Sequence, residues 1–376
     1  MVTQTSGIQS YLPTYTDTSA ANLNANFRGL PVSFSYAANS TTLIMSVPAI
    51  GLNQSFTGAT RADSQSLLTD WFKSSGQGAI EQFMKKLAAV SPIDPIAGNP
   101  SSLMSQSSTV SFNNGVSAVV EQTPSTNLAN VSIIRANTAP LGTSYLATSQ
   151  AGLESKLYSL PLAYSFSFSD NPGKKINIML PISLSDTQGA KAVDVGLGIS
   201  MNFPIQKNWV ITPAYIYGVS ASVDMGSVGQ VETGSVTSAF KLNTPNGYAI
   251  MGNMVGYSQT TKRLYSGAYA FDPGIKNMVY KNGLIYGFNT NSFMPNSSWE
   301  VFATNTFFTG TELYLKTYNE YGFSYGLTKI HEESLGDADL AQKVIRQTVS
   351  KLRVGLTYLD GGSKTKGVQL NFGYSF

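Results

Sequence analysis

The sequence predicts an all-β protein, an antiparallel transmembrane β-barrel of about twelve strands preceded by a small N-terminal α+β domain or plug. Three observations predict it. Segments of ten or more residues in the second half of the chain alternate apolar with small or polar side chains, the spacing of strands with one apolar face. Charged residues make up 12% of the 376, about half the usual roughly 25%, while 42% are hydrophobic. No window of about 18 apolar residues occurs, so helical spans are excluded and strands are left to do any crossing.

The first hundred residues break the pattern. Val32, Phe34 and Tyr36, then Leu43, Met45 and Val47, alternate across Ala38-Asn39-Ser40 as a short hairpin. Asp63 to Val90 carries Leu67, Leu68, Trp71 and Phe72, a Gly76-Gln77-Gly78 interruption, and Ile80, Phe83, Met84, Leu87 and Val90 at helical spacings of three and four. Ser91-Pro92 ends the helix, because the residue before a proline is pushed out of the helical region. Asp94 to Pro100 reads as a rigid connector. The boundary falls near 105, giving an α+β domain over 1–105 and a barrel over 106–376, with 106–150 a Ser-, Thr- and Asn-rich approach to it.

Strands follow in series. Tyr158, Leu160, Leu162, Tyr164, Phe166 and Phe168 stand against serines and Ala163; Ile176 to Leu184 and Val193 to Phe203 repeat the alternation, separated by Asn171-Pro172-Gly173 and Gln188-Gly189 turns. Further strands are expected near 207–221, 228–243, 247–260, 278–289, 298–308 and 312–328. Leu352 to Tyr358 and Val368 to Phe376 form a last hairpin through Asp360-Gly361-Gly362-Ser363. That makes about eleven strands, and one from the Val131-Ser132-Ile133-Ile134 region would give the even number bacterial barrels favour. Two connections are long: 261–277, and 330–346, where His331, Glu332, Glu333, Asp337, Asp339 and Lys343 suggest a short helix.

A two-sheet soluble protein would alternate in the same way. Strand length, strand number and the Ser, Gly and Asn of the opposite face favour apolar side chains turned outward to lipid and a polar lumen. The charges on that face make Lys175, Asp194, Lys316, Glu320, Lys351 and Arg353 candidate pore-lining residues, as a selective constriction or as paired charges in a filled interior. Twelve strands spaced about 4.8 Å and tilted about 40° leave a bore of roughly 10–14 Å, which a helix about 10 Å wide would nearly occlude. Trp71, Phe72, Phe83 and Met84 are therefore candidate plug or gate residues. The matching apolar faces of hairpin and helix favour instead a small core of their own, in a periplasmic domain.

The terminal Val368-Gln369-Leu370-Asn371-Phe372-Gly373-Tyr374-Ser375-Phe376 resembles the C-terminal signal of Gram-negative outer-membrane β-barrels, an alternating strand ending in an aromatic residue. The resemblance covers roughly 155–376 as a pattern. It implies an assembly signal at Phe372, Tyr374 and Phe376, insertion by the outer-membrane assembly machinery, and a last strand ending on the periplasmic side. Counting back, 261–277 lies outside the cell and 330–346 on the periplasmic face. The N-terminal part is loosely similar to the helical plugs of secretion pores for functional amyloid.

Enzymatic chemistry is not expected. His331, the single histidine, sits between Ile330 and two glutamates as a solvated side chain, and no nucleophile elbow, phosphate loop or metal cluster appears. Zero cysteines removes disulfides and thiolate chemistry, and no cofactor is implied. A balance of 24 basic and 21 acidic residues without blocks argues against nucleic acid. Met1-Val2-Thr3-Gln4 lacks a basic start or apolar stretch, so any secretion signal is absent from this chain. The expected protein is a monomeric pore in the outer membrane of a Gram-negative bacterium. It passes solutes or an exported polypeptide, its N-terminal domain gates it or recruits a periplasmic partner, and membrane lipid surrounds it. The alternative is an anchor barrel displaying its 261–277 loop for adhesion.

Overall fold

The computed structural model describes all residues except 1–4, 121–140, 151, 169–172, 223, 225–226, 246, 264–270, 291–296, 336–343, 363 and 376. The chain begins with an antiparallel sheet, β1 (Ala21–Phe27), β2 (Leu30–Tyr36), β3 (Thr42–Val47) and β4 (Leu52–Thr57), in sequential order. Arg28 and Gly29 both take positive φ between β1 and β2, the two-residue turn that matches the twist of a hairpin. α1 (Arg61–Lys73) starts at a capping box in which Thr60 and Asp63 satisfy each other's backbone N–H, and α2 (Gln77–Val90) follows at Gly76. At Gly76 a Cβ would lie 2.6 Å from the Trp71 ring, so glycine lets the chain turn against that side chain.

Val32, Tyr36, Leu43, Met45, Val47 and Phe56 form the core of this unit, closed by Leu68, Trp71, Phe72 and Phe83 from the two helices. The hairpin and the helical segment are thus two parts of a four-stranded sheet and a helix pair, with β1 and β4 added to the strands the pattern revealed.

Twelve strands then close into a barrel: β5 (Leu141–Gln150), β6 (Leu153–Ser167), β7 (Lys175–Thr187), β8 (Ala190–Gln206), β9 (Trp209–Ser222), β10 (Ser227–Thr244), β11 (Gly247–Thr261), β12 (Lys276–Thr290), β13 (Ser297–Gly310), β14 (Thr317–Leu335), β15 (Val344–Asp360) and β16 (Thr365–Ser375). Every neighbour is antiparallel, and β16 pairs with β5 from Tyr374↔Leu141 to Thr365↔Gln150, so no edge is left open. The first strand is 141–150, and the expected strand at 131–134 lies outside the described residues.

Two expectations need correction. Ile330–Leu335 belong to β14, where a short helix was expected. They pair with Val344–Val349, whose β-branched Val344, Ile345, Thr348 and Val349 favour a ladder over a turn of helix. Residues 311–316 connect β13 to β14 and are not strand.

The largest departure is α3 (Leu103–Val120), inside the barrel. Its apolar residues are spread around the axis among Ser, Thr and Asn, so no single stripe marks it as a helix. It packs on the inner wall formed by β8 to β12. Two barrel ends can therefore be distinguished. At the mouth lie the connections after β5, β7, β9, β11, β13 and β15; at the base β5 begins and β16 ends. The sheet-and-helix unit sits at the mouth, while α3 runs toward the base.

Candidate functional site: a lumen occupied by the chain itself

An 18-residue helix is about 27 Å long, close to the roughly 30 Å of a bilayer's hydrocarbon core. Its seat is cut by glycines. A Cβ at Gly218 would lie 2.7 Å from Leu103, at Gly252 2.6 Å from Val116, and at Gly283 2.8 Å from Phe112. On the helix itself, Gly115 lets the backbone approach Thr237, whose Cβ would be 2.5 Å from an added methyl group. Small residues on both surfaces thus bring helix and wall to backbone distance, and Phe112, 2% exposed, fills the space left by the wall glycines.

Polar contacts fix the register. Lys281 of β12 reaches inward, donating to Glu320 of β14 at 2.6 Å and to Thr109 of α3 at 3.3 Å. Its ammonium also lies 5.7 Å from the Phe112 ring centre and 5.8 Å from that of Tyr318. Thr304 donates a further hydrogen bond to Glu320 at 2.8 Å. Asn114 Oδ1 accepts from Asn177 Nδ2 at 3.2 Å and from Ser200 Oγ at 3.1 Å. Both wall residues are buried, so the helix amide satisfies groups that would be costly to leave unpaired.

At the mouth, residues 91–105 form a stopper. The N–H groups of Tyr314 and Leu315 donate to the carbonyls of Ala88 at 2.8 Å and Gly98 at 3.0 Å. Gly98 takes φ +95°, and a Cβ there would lie 2.3 Å from the Ala88 oxygen, so only glycine fits. Ile96, Ala97, Leu103 and Met104 join Ile275, Leu313, Leu315 and Leu359 in one apolar cluster. Asp94 accepts from the N–H groups of Ile96 at 3.0 Å and Ala97 at 3.1 Å and pairs with Arg28 at 3.4 Å. Burial raises the Asp94 carboxyl above the ordinary range despite that guanidinium, and burial likewise lowers Arg28. Both shifts say the same thing: desolvation outweighs the attraction within the pair. Glu81 of α2 accepts from the Asp272 N–H at 3.2 Å, tying the domain to the β11–β12 connection.

The residues named from sequence fall in different places. Lys175 and Asp194 are buried on the inner wall, and Ser183 donates to Asp194 at 3.0 Å. Arg353 also faces inward, pairing with Glu300 at 3.0 Å and donating to Ser324 and Ser298 at 2.8 Å each. Glu320 finds its cation on β12 and not at Lys316, which is exposed in the mouth connection. Lys351 lies in β15 opposite Ser375, and the His331 backbone in β14 opposite Thr348. Trp71, Phe72 and Phe83 pack within the N-terminal core, and Met84 packs on the mouth cluster. Lys281, Thr109 and Asn114 were not foreseen. The Lys281 orientation was legible in the phase of Tyr280, Leu284, Tyr286 and Phe288, which puts 281 on the opposite face. Among the described residues no group of three or more His, Cys, Asp or Glu could hold a metal ion.

No family model and no curated protein sequence matches the chain. Among solved structures, it is similar to the β domain of the Bordetella autotransporter BrkA, at 13% identity and TM-score 0.43 over 64% of this chain and 99% of that one. It is also similar to the translocator domain of the autotransporter NalP from Neisseria meningitidis, at 11% identity and TM-score 0.42 over 72% and 97%. The NanC porin gives 11% and 0.36 over 63% and 99%. What decides the architecture is the exterior of this barrel: Leu197, Leu284 and Leu370 point outward at 61%, 60% and 55% exposure, with Val354 and Phe372 beside them, while Asn177, Asp194, Asn202 and Lys281 are buried inside. The chain is an outer-membrane-type β-barrel. An apolar outer belt around a closed interior that buries asparagine, aspartate and lysine side chains is stable only where the outer solvent is hydrocarbon. Of the resemblance's terminal residues, Phe372 lies on that outer face, Tyr374 pairs with Leu352 and Leu141 through the backbone, and Phe376 lies outside the described residues.

Proposed function

We propose that this barrel resides in the outer membrane of a Gram-negative bacterium and serves to export and hold its own N-terminal domain at the cell surface, α3 being the stretch of chain left in the pore. The observation that carries this reading is that the domain and the first barrel strand lie at opposite ends of one lumen, joined through it by α3. With both barrel termini on the periplasmic side, as the C-terminal signal implies, the mouth faces outward. In this reading the barrel is not an enzyme, and its pore is sealed at rest by the α3 seat and the 91–105 stopper. The expected boundary shifts accordingly, with 1–90 the displayed unit and 91–120 its tether.

The absence of cysteine makes the test direct. Ser74→Cys, exposed between α1 and α2, and Lys207→Cys, exposed in the β8–β9 turn at the base, are treated in intact cells with a membrane-impermeant maleimide. Labelling of Ser74→Cys in intact cells, with Lys207→Cys labelled only after the outer membrane is opened, is expected. The reverse pattern would put the domain in the periplasm and return the barrel to a gated solute pore.

A further inference from the structure

The outer wall carries a notch whose chemistry differs from the apolar belt around it. Gly234 of β10 stands directly opposite Tyr215 of β9 and Tyr257 of β11, all on the outward face. A Cβ on Gly234 would meet nothing within 4 Å, and the open recess there, lined by Tyr215, Glu232, Tyr257, Gln259 and Arg263 around Gly234, measures about 300 Å³. One pleat toward the base, Val236 lies opposite Pro213 and Val255, an apolar floor. One pleat toward the mouth, Glu232 accepts from the Tyr215 hydroxyl at 2.9 Å, from Gln259, and from Arg263 at 3.2 Å. The ion pair with Glu232 holds Arg263 over the notch while the arginine side chain stays 69% exposed. Lys276, the cross-strand neighbour of Gln259, is exposed beside it.

We propose that this notch binds a phosphate-bearing lipid. One acyl chain lies over Gly234 between Tyr215 and Tyr257 and runs down onto Val236, Pro213 and Val255; the phosphate sits against Arg263 and Lys276. A guanidinium presents paired N–H groups that match phosphate oxygens, and an ammonium adds a second point charge. Tyrosines suit the level where acyl chains give way to head groups. The proposal rests on the reading of this wall as lipid-facing.

The test is native mass spectrometry of the full chain in detergent, with phosphatidic acid, diacylglycerol of the same chains, or inorganic phosphate added in separate arms. Phosphatidic acid is expected to be retained about tenfold better than diacylglycerol, with phosphate alone not retained. Arg263→Ala with Lys276→Ala should abolish the difference, and Gly234→Leu should reduce retention of both lipids. Heat-modifiable migration on a gel reports that each variant is a folded barrel; the double variant alters only exposed rim residues and keeps the test open if Gly234→Leu does not fold. Equal retention by wild type and double variant would overturn the site, as would retention of phosphate alone. A chain that stays dispersed without detergent would overturn the lipid-facing wall itself, an outcome distinct from a failed site on a detergent-requiring barrel.

Discussion

Lys281 and Glu320, on strands separated by β13, meet at 2.6 Å inside the barrel, and Thr109 of the threaded helix adds a third contact at 3.3 Å. The ion pair therefore belongs both to the wall and to the helix seat. Lys281→Met leaves Glu320 buried without its cation and is expected to destabilise the barrel by about 3–5 kcal/mol, whereas Lys281→Met with Glu320→Leu should recover most of that loss. The temperature at which the folded form disappears in heat-modifiable electrophoresis reads both variants. A double variant as unstable as the single one would show that the pair is not the source of the effect.

Glycine at the helix seat gives a second prediction. Gly252→Val inserts a branched side chain where Phe112 and Val116 already lie within about 3 Å of an added Cβ. Overpacking of this kind costs about 1–3 kcal/mol, and the side that can move is the helix. Planar-bilayer recordings should show a silent wild-type channel and frequent openings for Gly252→Val. Deletion of 91–120 removes stopper and helix together and should give a permanently open pore, and silence in both variants would mean these segments are not what seals the lumen.

The Asp94 carboxyl supplies a pH dependence. Burial raises it above its ordinary value, so the folded stopper holds a proton more tightly than the unfolded chain does. Stability of the 91–98 segment should then be greatest in acid and fall as pH rises from the ordinary carboxylate range, near 3.9, through the raised value. Arg28, lowered from a much higher starting point, stays charged across this window and does not reverse the slope. Hydrogen exchange of the Ile96 and Ala97 amides between pH 4 and pH 8 measures it, after correction for the intrinsic rate. In Asp94→Asn the slope should vanish.

The N-terminal unit depends on its first helix cap. Thr60→Ala removes the side-chain acceptor for the Asp63 N–H and half of the capping box, an expected loss of about 0.5–2 kcal/mol. Limited proteolysis of the full chain should cut within 61–90 faster in this variant, with the barrel's heat-modifiable migration unchanged. A parallel loss of barrel stability would couple the two units more tightly than their contacts suggest.

The barrel was legible because its strands carry a binary signal. Val354, Leu356, Leu370 and Phe372 repeat every second residue; that period marks one apolar face, and strand length, strand number and the small polar residues of the opposite face turn it outward. The N-terminal core was legible for the same reason, in the shared apolar phase of β2, β3 and the helices. α3 was hidden because its seat mixes apolar and polar side chains: Phe112 and Val116 pack with Val231, Ile250 and Val279, while Thr109 and Asn114 meet polar partners, so no single apolar stripe is needed. Lys281 was missed as the partner of Glu320 because the two are near only once β12, β13 and β14 lie side by side. Pairing across strands is set by register, and register is not written in the spacing of charges.

The threading of α3 has a mechanical result. By ordinary size scaling a unit of some 70 residues is roughly 25–30 Å across, about twice the free bore beneath it. It acts as the bulky end of a rotaxane whose ring is the barrel and whose axle is the helix. A pull on the chain from the base cannot draw the axle out while the folded end holds; tension must first unravel that end or tear the β5–β16 seam. The strength of this attachment under load is therefore set by whichever yields faster, the folded domain or the β5–β16 seam, and not by the many weak contacts along the helix.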